Sequence, residues 1–318
     1  MRRPDPNITI VVPCYNEGKN LSVLLEAIEE SLAGQNFELI FVDDASNDES
    51  FKHYSSLAKE KQNIKYIRLV KNCGQQFALK AGIDYAQGDV IITMDADLQD
   101  SPEEIPELYR MISEDGFDLV SGWKKKRFDP LSKTIPSRFF NRTVRICTGI
   151  KLHDFNCGLK AYRSEVVKSI ELFGEMHRYI PVIAKQAGFK RIGEKVVQHQ
   201  ERKYGVTKFG FERFINGFLD LFTVIFVTRF GKKPMHLFGT LGTLMFLLGG
   251  GIAMWIVANK LYSQFNQLKY RAVTDQPLFY IALAMTIIGV LLFIAGFLGE
   301  LISRSSADRN LYLVEKEI

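Results

Sequence analysis

Two aspartates one residue apart, Asp95-Ala96-Asp97, close an apolar, β-branched run at residues 89–94 and precede Leu98-Gln99-Asp100. Paired carboxylates at a strand end can hold Mg²⁺ or Mn²⁺, hard cations that take oxygen ligands and share them with phosphate groups. Gln99 is placed to add a ligand or to hydrogen-bond a metal-bound water. A lone D-x-D is common in sequences; its position directly after a strand gives it weight. Two more polar clusters, Tyr15 to Glu17 and Asp43 to Asp48, follow apolar runs in the same way. Basic residues gather in two zones. Residues 123–145 hold eight against Asp129, and residues 202–233 hold seven against Glu212 and Asp220, in a chain of net charge +5. Such zones call for anionic partners: phosphate groups, acidic lipid headgroups or nucleic acid.

The elements that must position these residues read as alternating strands and helices. Residues 8–12 form a β-branched run ended by Pro13, and Leu21, Leu24, Leu25 and Ile28 then recur at helical spacing. Runs at 37–42, 65–70 and 89–94 read as further strands, with a helical stretch at 75–86. This alternation predicts βαβ units and an α/β fold with a mostly parallel sheet. In an open parallel sheet the strand ends share one edge, where ligands bind, so the three polar clusters meet there. Each taken singly reads equally as a solvated turn.

With the order of motifs on the page, the sequence resembles glycosyltransferase family 2. The stretches ITIVVPCYNEGKNL, FVDDASNDES and DADLQDSPEEIP carry the resemblance, and NCGQQFALKAG, DFNCGLKAYRSE and HRYIPVIAKQAGF narrow it to polyprenyl-phosphate glucosyltransferases, relatives of dolichyl-phosphate mannose synthase. The resemblance implies a GT-A (Rossmann-like) nucleotide-sugar domain. On it, Pro13, Tyr15 and Glu17 border the nucleoside, Asp44 hydrogen-bonds the uracil, and Asp95, Ala96, Asp97 and Gln99 meet the diphosphate. Asp95 and Asp97 then hold Mg²⁺ or Mn²⁺. Asn72-Cys73-Gly74 reads as a tight turn beside the donor or as a plain connection. Arg202-x-x-Gly205-x-x-Lys208 matches the family's basic loop. Arg202 and Lys208, with Lys126 and Arg127 and their neighbours Lys124 and Lys125, become candidates for the acceptor phosphate. Asp154 falls at the donor-sugar edge, as a catalytic residue or as a turn cap. The Glu-Asp pair that serves many members as general base is replaced here by Glu175-Met176-His177-Arg178. A phosphate acceptor, already ionised near neutral pH, accounts for that. His153, His177, His199 and His236 show no nucleophile–base pattern.

Past Lys233 the texture changes. Only eleven Asp, Glu, Lys or Arg occur from 234 to 318, and residues 234–259 and 276–299 contain none. Each run is long enough to cross a hydrocarbon core of about 30 Å as a helix. Gly249-Gly250-Gly251 permits close packing or a bend. Before them, Phe214, Phe218, Phe222, Phe226 and Phe230 fall every four residues, bracketed by basic residues. That is the pattern of an amphipathic helix lying in a membrane interface. The expected organisation is a cytoplasmic catalytic domain at 1–207, a juxtamembrane region at 208–233, two spans within 234–303 (about 234–259 and 276–302) and a cytoplasmic tail at 304–318. The start of the chain shows no signal peptide, and Cys14, Cys73, Cys147 and Cys157 have no metal-ligand spacing.

The expected activity is an inverting, metal-dependent transfer of a hexose, glucose first, from a UDP-sugar to polyprenyl phosphate at the inner membrane. GDP-mannose or an aminosugar as donor is the alternative. A non-catalytic scaffold or lipid-transport subunit is the competing class. Intact acids at positions 44, 95 and 97 oppose degeneracy, and two spans are few for a transporter. A homo-oligomer is compatible with the hairpin. The basic zones adjoin apolar helical segments and carry no nucleic-acid motif, so nucleic acid is not an expected partner.

Overall fold

The run at residues 8–12 becomes the middle of a seven-stranded sheet. In the computed structural model, β1 (Ile8–Cys14) pairs in parallel with β2 (Phe37–Asp43) and with β4 (Val90–Thr93), and β3 (Ile64–Arg68) extends the sheet beyond β2. β6 (Lys160–Arg163) runs antiparallel to both β4 and β5 (Leu119–Trp123), and β7 (Ile192–Val196) pairs in parallel with β5. The order is β3-β2-β1-β4-β6-β5-β7. The sheet is mostly parallel, as the alternation predicts, with one reversed strand that four residues, Lys-Ala-Tyr-Arg, give no periodicity to announce. The structure describes residues 6–18, 20–48, 55–56, 58–125, 131–170, 176–200, 219, 221–226, 230 and 233–305. Lys126, Arg127, Glu175, Arg202 and Lys208 lie outside them, as does most of segment 208–233.

Every residue of β1 is buried, because helices cover both faces. Ile8, Ile10 and Val12 join Leu21, Leu24, Leu25 and Ile28 of α1 (Leu21–Ser31) in one core. Val11 turns the other way, into a second core with Ala78, Leu79 and Ile83 of α2 (Gln75–Tyr85). This is the two-residue alternation of a strand, read out on two apolar faces. α3 (Ile105–Ser113) completes the first core; α5 (Ser164–Ser169) and α6 (Ile180–Ala187) complete the second. A third cluster lies under α4 (Leu131–Thr148), which contributes Phe140 and Val144.

Pro13 does not end β1, contrary to expectation; the strand continues through it to Cys14. Cys14 O accepts from Asp44 N on the β2 side, and Val11 O accepts from Met94 N on the β4 side. Pro13 therefore faces β4, whose pairing has already stopped at Thr93. A missing N–H there removes no ladder bond.

The chain divides into two compact units, Met1–Ile225 and Phe226–Ile318. The second is a helical hairpin of α7 (Pro234–Phe265) and α8 (Pro277–Ser305), each holding an apolar window of 18 residues, with mean hydropathy of 2.0 and 2.7. Only 17% of each apolar window is buried, so these are not core helices of a soluble unit. α7 runs past the expected end at 259 to 32 residues, about 48 Å. Lys260 does not stop the helix, because a lysine can lie along it and send its charge outward. Glycine sets the contact between the helices. A Cβ on Gly242 would meet Gly289 O at 2.6 Å, and one on Gly249 would meet Ala282 O at 2.6 Å. Gly296 faces Gly239 N at 3.0 Å. Positions 242 and 249, and 282, 289 and 296, recur every seven residues, giving one seam along which the backbones touch. Gly250 and Gly251 meet nothing within 4 Å, and α7 passes through them unbroken.

Candidate functional site

The loops after β1 and β2 are tied into one surface. Asn16 N donates to Ser46 Oγ at 2.9 Å, and Asn47 N donates to Asn16 Oδ1 at 2.9 Å. Asp43, fully buried, accepts Ser46 N on one oxygen and the Tyr66 hydroxyl on the other, at 2.7 Å. Burial and that carboxylate push the Tyr66 phenol well above its ordinary range. Asp44, also buried, spreads its two oxygens over consecutive amides, Cys73 N at 2.7 Å and Gly74 N at 2.8 Å. Gly74 has φ 95, open to glycine at little strain. Asn16, Ala45 and Leu98 also take positive φ, at 59, 58 and 60. Each follows a different strand on this one edge. Backbone strain in non-glycine residues concentrates where a site needs a fixed shape.

Asp95 stands on the floor of this edge: its residue surface is partly accessible, while protein surrounds its carboxyl densely. Desolvation first, then the charges of Asp100 and Asp97, push it up to about 7. Gln75 Nε2, from the first turn of α2, donates to Asp95 Oδ1 at 2.8 Å. On the other side sits Gly158, where a Cβ would lie 2.3 Å from Asp95 Oδ2. Asp97 Oδ1 accepts Gln99 N at 3.2 Å, and Gln99 O accepts Gln200 N at 2.9 Å.

Beside the two carboxylates lies a buried group of charges: Asp100 from the loop after β4, Lys124 just past β5, Asp154 from the loop before β6, and Lys160 in β6. Lys124 Nζ is 2.7 Å from Asp100 Oδ1, with the lysine 12% exposed and the carboxylate sealed from solvent. Neither Asp100 oxygen meets a donor in good hydrogen-bond geometry, so charge rather than direction holds this pair. Burial alone would lower Lys124; the surrounding charges, Asp100 first, outweigh it and hold the ammonium protonated. Lys160 is fully buried, donates to Cys157 O, and is pulled below its ordinary range by desolvation. Asp154 is 1% exposed; its Oδ1 accepts Asn156 N at 3.0 Å, the geometry of a turn cap, and its backbone O accepts Ser121 Oγ at 3.2 Å.

The strand edge thus gathers Pro13, Tyr15, Glu17, Asp44, Asp95, Ala96, Asp97 and Gln99 on neighbouring strand ends of one sheet. Lys124 leaves the set of phosphate candidates, since it is committed to Asp100. Lys125 Nζ sits 5.6 Å from the centre of the Trp123 ring. His153 stacks on that same ring at 4.1 Å and pairs with Glu194. Sequence reasoning passed over Gln75, Gly158, Asp100 and Lys160. Each of the four lies within a stretch that carries the family resemblance, NCGQQFALKAG, DADLQDSPEEIP or DFNCGLKAYRSE, and that placement was the available signal. No three of His, Cys, Asp and Glu converge as a ready-made metal cage among the described residues. Asp95, whose carboxyl resists ionisation and is cleared of a Cβ on one side by Gly158, and the neighbouring Asp97 suit a cation whose remaining ligands come from phosphate and water.

Comparison with known proteins agrees with this arrangement. The model of the family described as Glycosyl transferase family 2 matches residues 9–171. The chain is 36% identical over 305 residues to dodecaprenyl-phosphate galacturonate synthase of Rhizobium johnstonii, covering 94% of this chain and 88% of that protein. It is 35% identical over 321 residues to undecaprenyl-phosphate 4-deoxy-4-formamido-L-arabinose transferase of Pectobacterium atrosepticum, covering 98% and 94%. In fold it is similar to glucosyl-3-phosphoglycerate synthase of Mycobacterium tuberculosis, solved with Mn²⁺, UDP and phosphoglyceric acid. That match has a TM-score of 0.54 at 16% identity, over 70% of this chain and 78% of that one.

Proposed function

The chain belongs to glycosyl transferase family 2 and is a glycosyltransferase, and from that premise we propose that it moves a sugar from a UDP-sugar to polyprenyl phosphate. The observation that carries this is the Asp95/Asp97 pair on the strand edge of a chain that ends in two exposed apolar helices. The relatives whose names specify polyprenyl-phosphate acceptors match nearly the whole chain, hairpin included. In the reaction, the bond from the sugar's anomeric carbon to the donor diphosphate breaks. A bond from that carbon to an acceptor phosphate oxygen forms on the opposite face, and UDP leaves. The acceptor oxygen is already ionised, so no side chain need remove a proton.

The residues divide the work. Asp44 and the amides it orders shape the wall where the nucleoside rests, with Pro13, Tyr15 and Glu17 beside it. Asp95 and Asp97 would hold Mg²⁺ or Mn²⁺, which when bound offsets the charge gathering on the diphosphate. Gln75, by its hydrogen bond, and Gly158, by its missing Cβ, hold the Asp95 carboxylate in its place on this edge. Lys124 neutralises Asp100 and so keeps a third negative charge from opposing the donor. Asp154 orients the sugar edge through its turn, and Arg202, Lys208, Lys126 and Arg127 are assigned to the acceptor phosphate. The hairpin anchors the enzyme as a two-span protein of the inner membrane with its catalytic unit on the cytoplasmic side; residues 208–233 lie at the interface.

Glucose is the sugar the resemblance suggests, but the relatives' names, galacturonate and formamidoarabinose, favour a modified sugar. The test is an assay of the purified full chain in detergent with polyprenyl phosphate and Mn²⁺. Labelled UDP-glucose, UDP-galacturonate, a UDP-linked formamidopentose and GDP-mannose are offered in turn. One UDP-sugar should label the lipid. Labelling from GDP-mannose alone, or of neutral polyprenol as fast as its phosphate, would overturn the reading.

A further inference from the structure

Residues 150–158, between α4 and β6, hold no helix or strand, so their backbone polar groups must find partners outside regular ladders. Three consecutive residues are held by side chains from elsewhere. Arg145 Nε, from the last turn of α4, donates to Leu152 O at 3.1 Å. His153 N donates to Glu194 Oε2 at 2.7 Å. Ser121 Oγ donates to Asp154 O at 3.2 Å. Ser121 and Glu194 are partners in the β5–β7 register, so one rung of the sheet holds two neighbouring residues of the segment.

Glu194 does more than the other two. Its Oε1 pairs with His153 Nδ1, so a single carboxylate grips both the amide and the ring of one residue. The ring lies flat on Trp123, the last residue of β5, with 4.1 Å between centroids and 14° between planes. The Glu194 and His153 side chains are 19% and 44% exposed, and an exposed ion pair contributes little stability by itself. What the two-point grip supplies is a fixed place for the residues that follow. These are buried Asp154, whose Oδ1 closes a turn on Asn156 N, and Gly158, whose missing Cβ leaves room for the Asp95 carboxylate. We propose that Glu194 is a positioning residue for sugar transfer: through His153 it holds segment 152–158, and with it Asp154 at the sugar edge and Gly158 beside Asp95. The inference rests on the reading that Asp154 and Asp95 border the donor. Its action is indirect, through the backbone it restrains.

The experiment measures kcat and KM of the full chain in detergent with Mn²⁺, polyprenyl phosphate and the labelled UDP-sugars. Glu194→Ala loses both contacts and should lower kcat by about ten- to a hundredfold, as a displacement near 1 Å does. KM for the UDP-sugar and the thermal midpoint should stay near those of the wild type. Glu194→Gln should recover most of the loss. Its amide oxygen can accept from His153 N, and its amide nitrogen can donate to Nδ1 in the other ring tautomer. His153→Ala keeps the amide contact and should fall between. Combined with Glu194→Ala it should cost nothing further, because the two act as one unit. Glu29→Ala, which breaks an exposed pair with Lys61, should change nothing. A spectroscopic reading is independent of turnover. Trp255→Phe leaves Trp123 as the one tryptophan; in that background Glu194→Ala should open it to acrylamide quenching, and Glu194→Gln should not. Full kcat in Glu194→Ala, Gln as slow as Ala, or losses that add in the double variant would each overturn the proposal. So would a fall in kcat that only follows a fall in thermal midpoint while Trp123 stays shielded, the mark of a merely structural role. A wild type that labels no lipid from any UDP-sugar would remove the proposed transfer and the inference with it. A wild type that does, beside an equally fast Glu194→Ala, would remove the inference alone.

Discussion

The two halves of the chain use glycine for opposite purposes. At Gly158 the absent Cβ leaves room for a carboxylate, whose Oδ2 lies 2.3 Å from where that carbon would be. At Gly242 and Gly289 it leaves room for backbone, with opposing carbonyl or amide atoms at 2.6 Å. In the catalytic unit, close approach keeps a polar group in place for chemistry. In a hairpin that spans a bilayer, as proposed above, there would be no water to expel, and close approach itself would be the source of attraction. A small residue in one half therefore protects function, and in the other protects assembly.

This contrast can be broken by substitution. Asp97→Asn removes a charged ligand and should lower turnover by about a thousandfold, with UDP binding without metal retained; near-normal transfer in Mn²⁺ would take the metal away from this pair. Gly158→Ala forces Asp95 aside. It should cost about a hundredfold in turnover, as a displacement near 1 Å does, and weaken Mn²⁺ binding measured by calorimetry, while thermal unfolding of the hairpin stays put. Gly289→Val should do the reverse, destabilising the hairpin by about 1–3 kcal/mol, seen as lost helix–helix crosslinking, with kcat on a short, water-soluble acceptor preserved. A loss of both properties in either variant would collapse the distinction. The smallest effect concerns protons. Asp95 must be ionised to bind metal, and its carboxyl is pushed up to about 7. Mn²⁺ affinity should fall about tenfold per pH unit below 7 and level off above it. A flat profile from pH 5 to 8 would show that Asp95 titrates in the ordinary carboxylate range.

What could be read in advance followed from range along the chain. Asp95 and Asp97 were legible because strand, turn and acid pair occupy one short stretch. β1, β2 and β4 were legible because their runs are apolar and buried on both faces. The Lys124–Asp100 pair was not, since a strand and a helix separate its partners, and a lysine in a run of four basic residues looks solvated. β6, no shorter than β4, escaped because charged residues, Lys160 and Arg163, close both its ends. In the hairpin, three consecutive glycines drew attention to 249–251, yet only Gly249 lies in the seam; the seven-residue spacing to Gly242 held the information.

The grip of Asp44 on Cys73 N and Gly74 N has a consequence for kinetics. A loop left to wander would have to be caught by each incoming ligand, and the search would slow every encounter. Here the ordering is completed once, when the chain folds, and not again at each turnover. A ligand arriving at this edge meets a wall already built, so its capture should follow diffusion, and its residence time should be set by how fast it lets go.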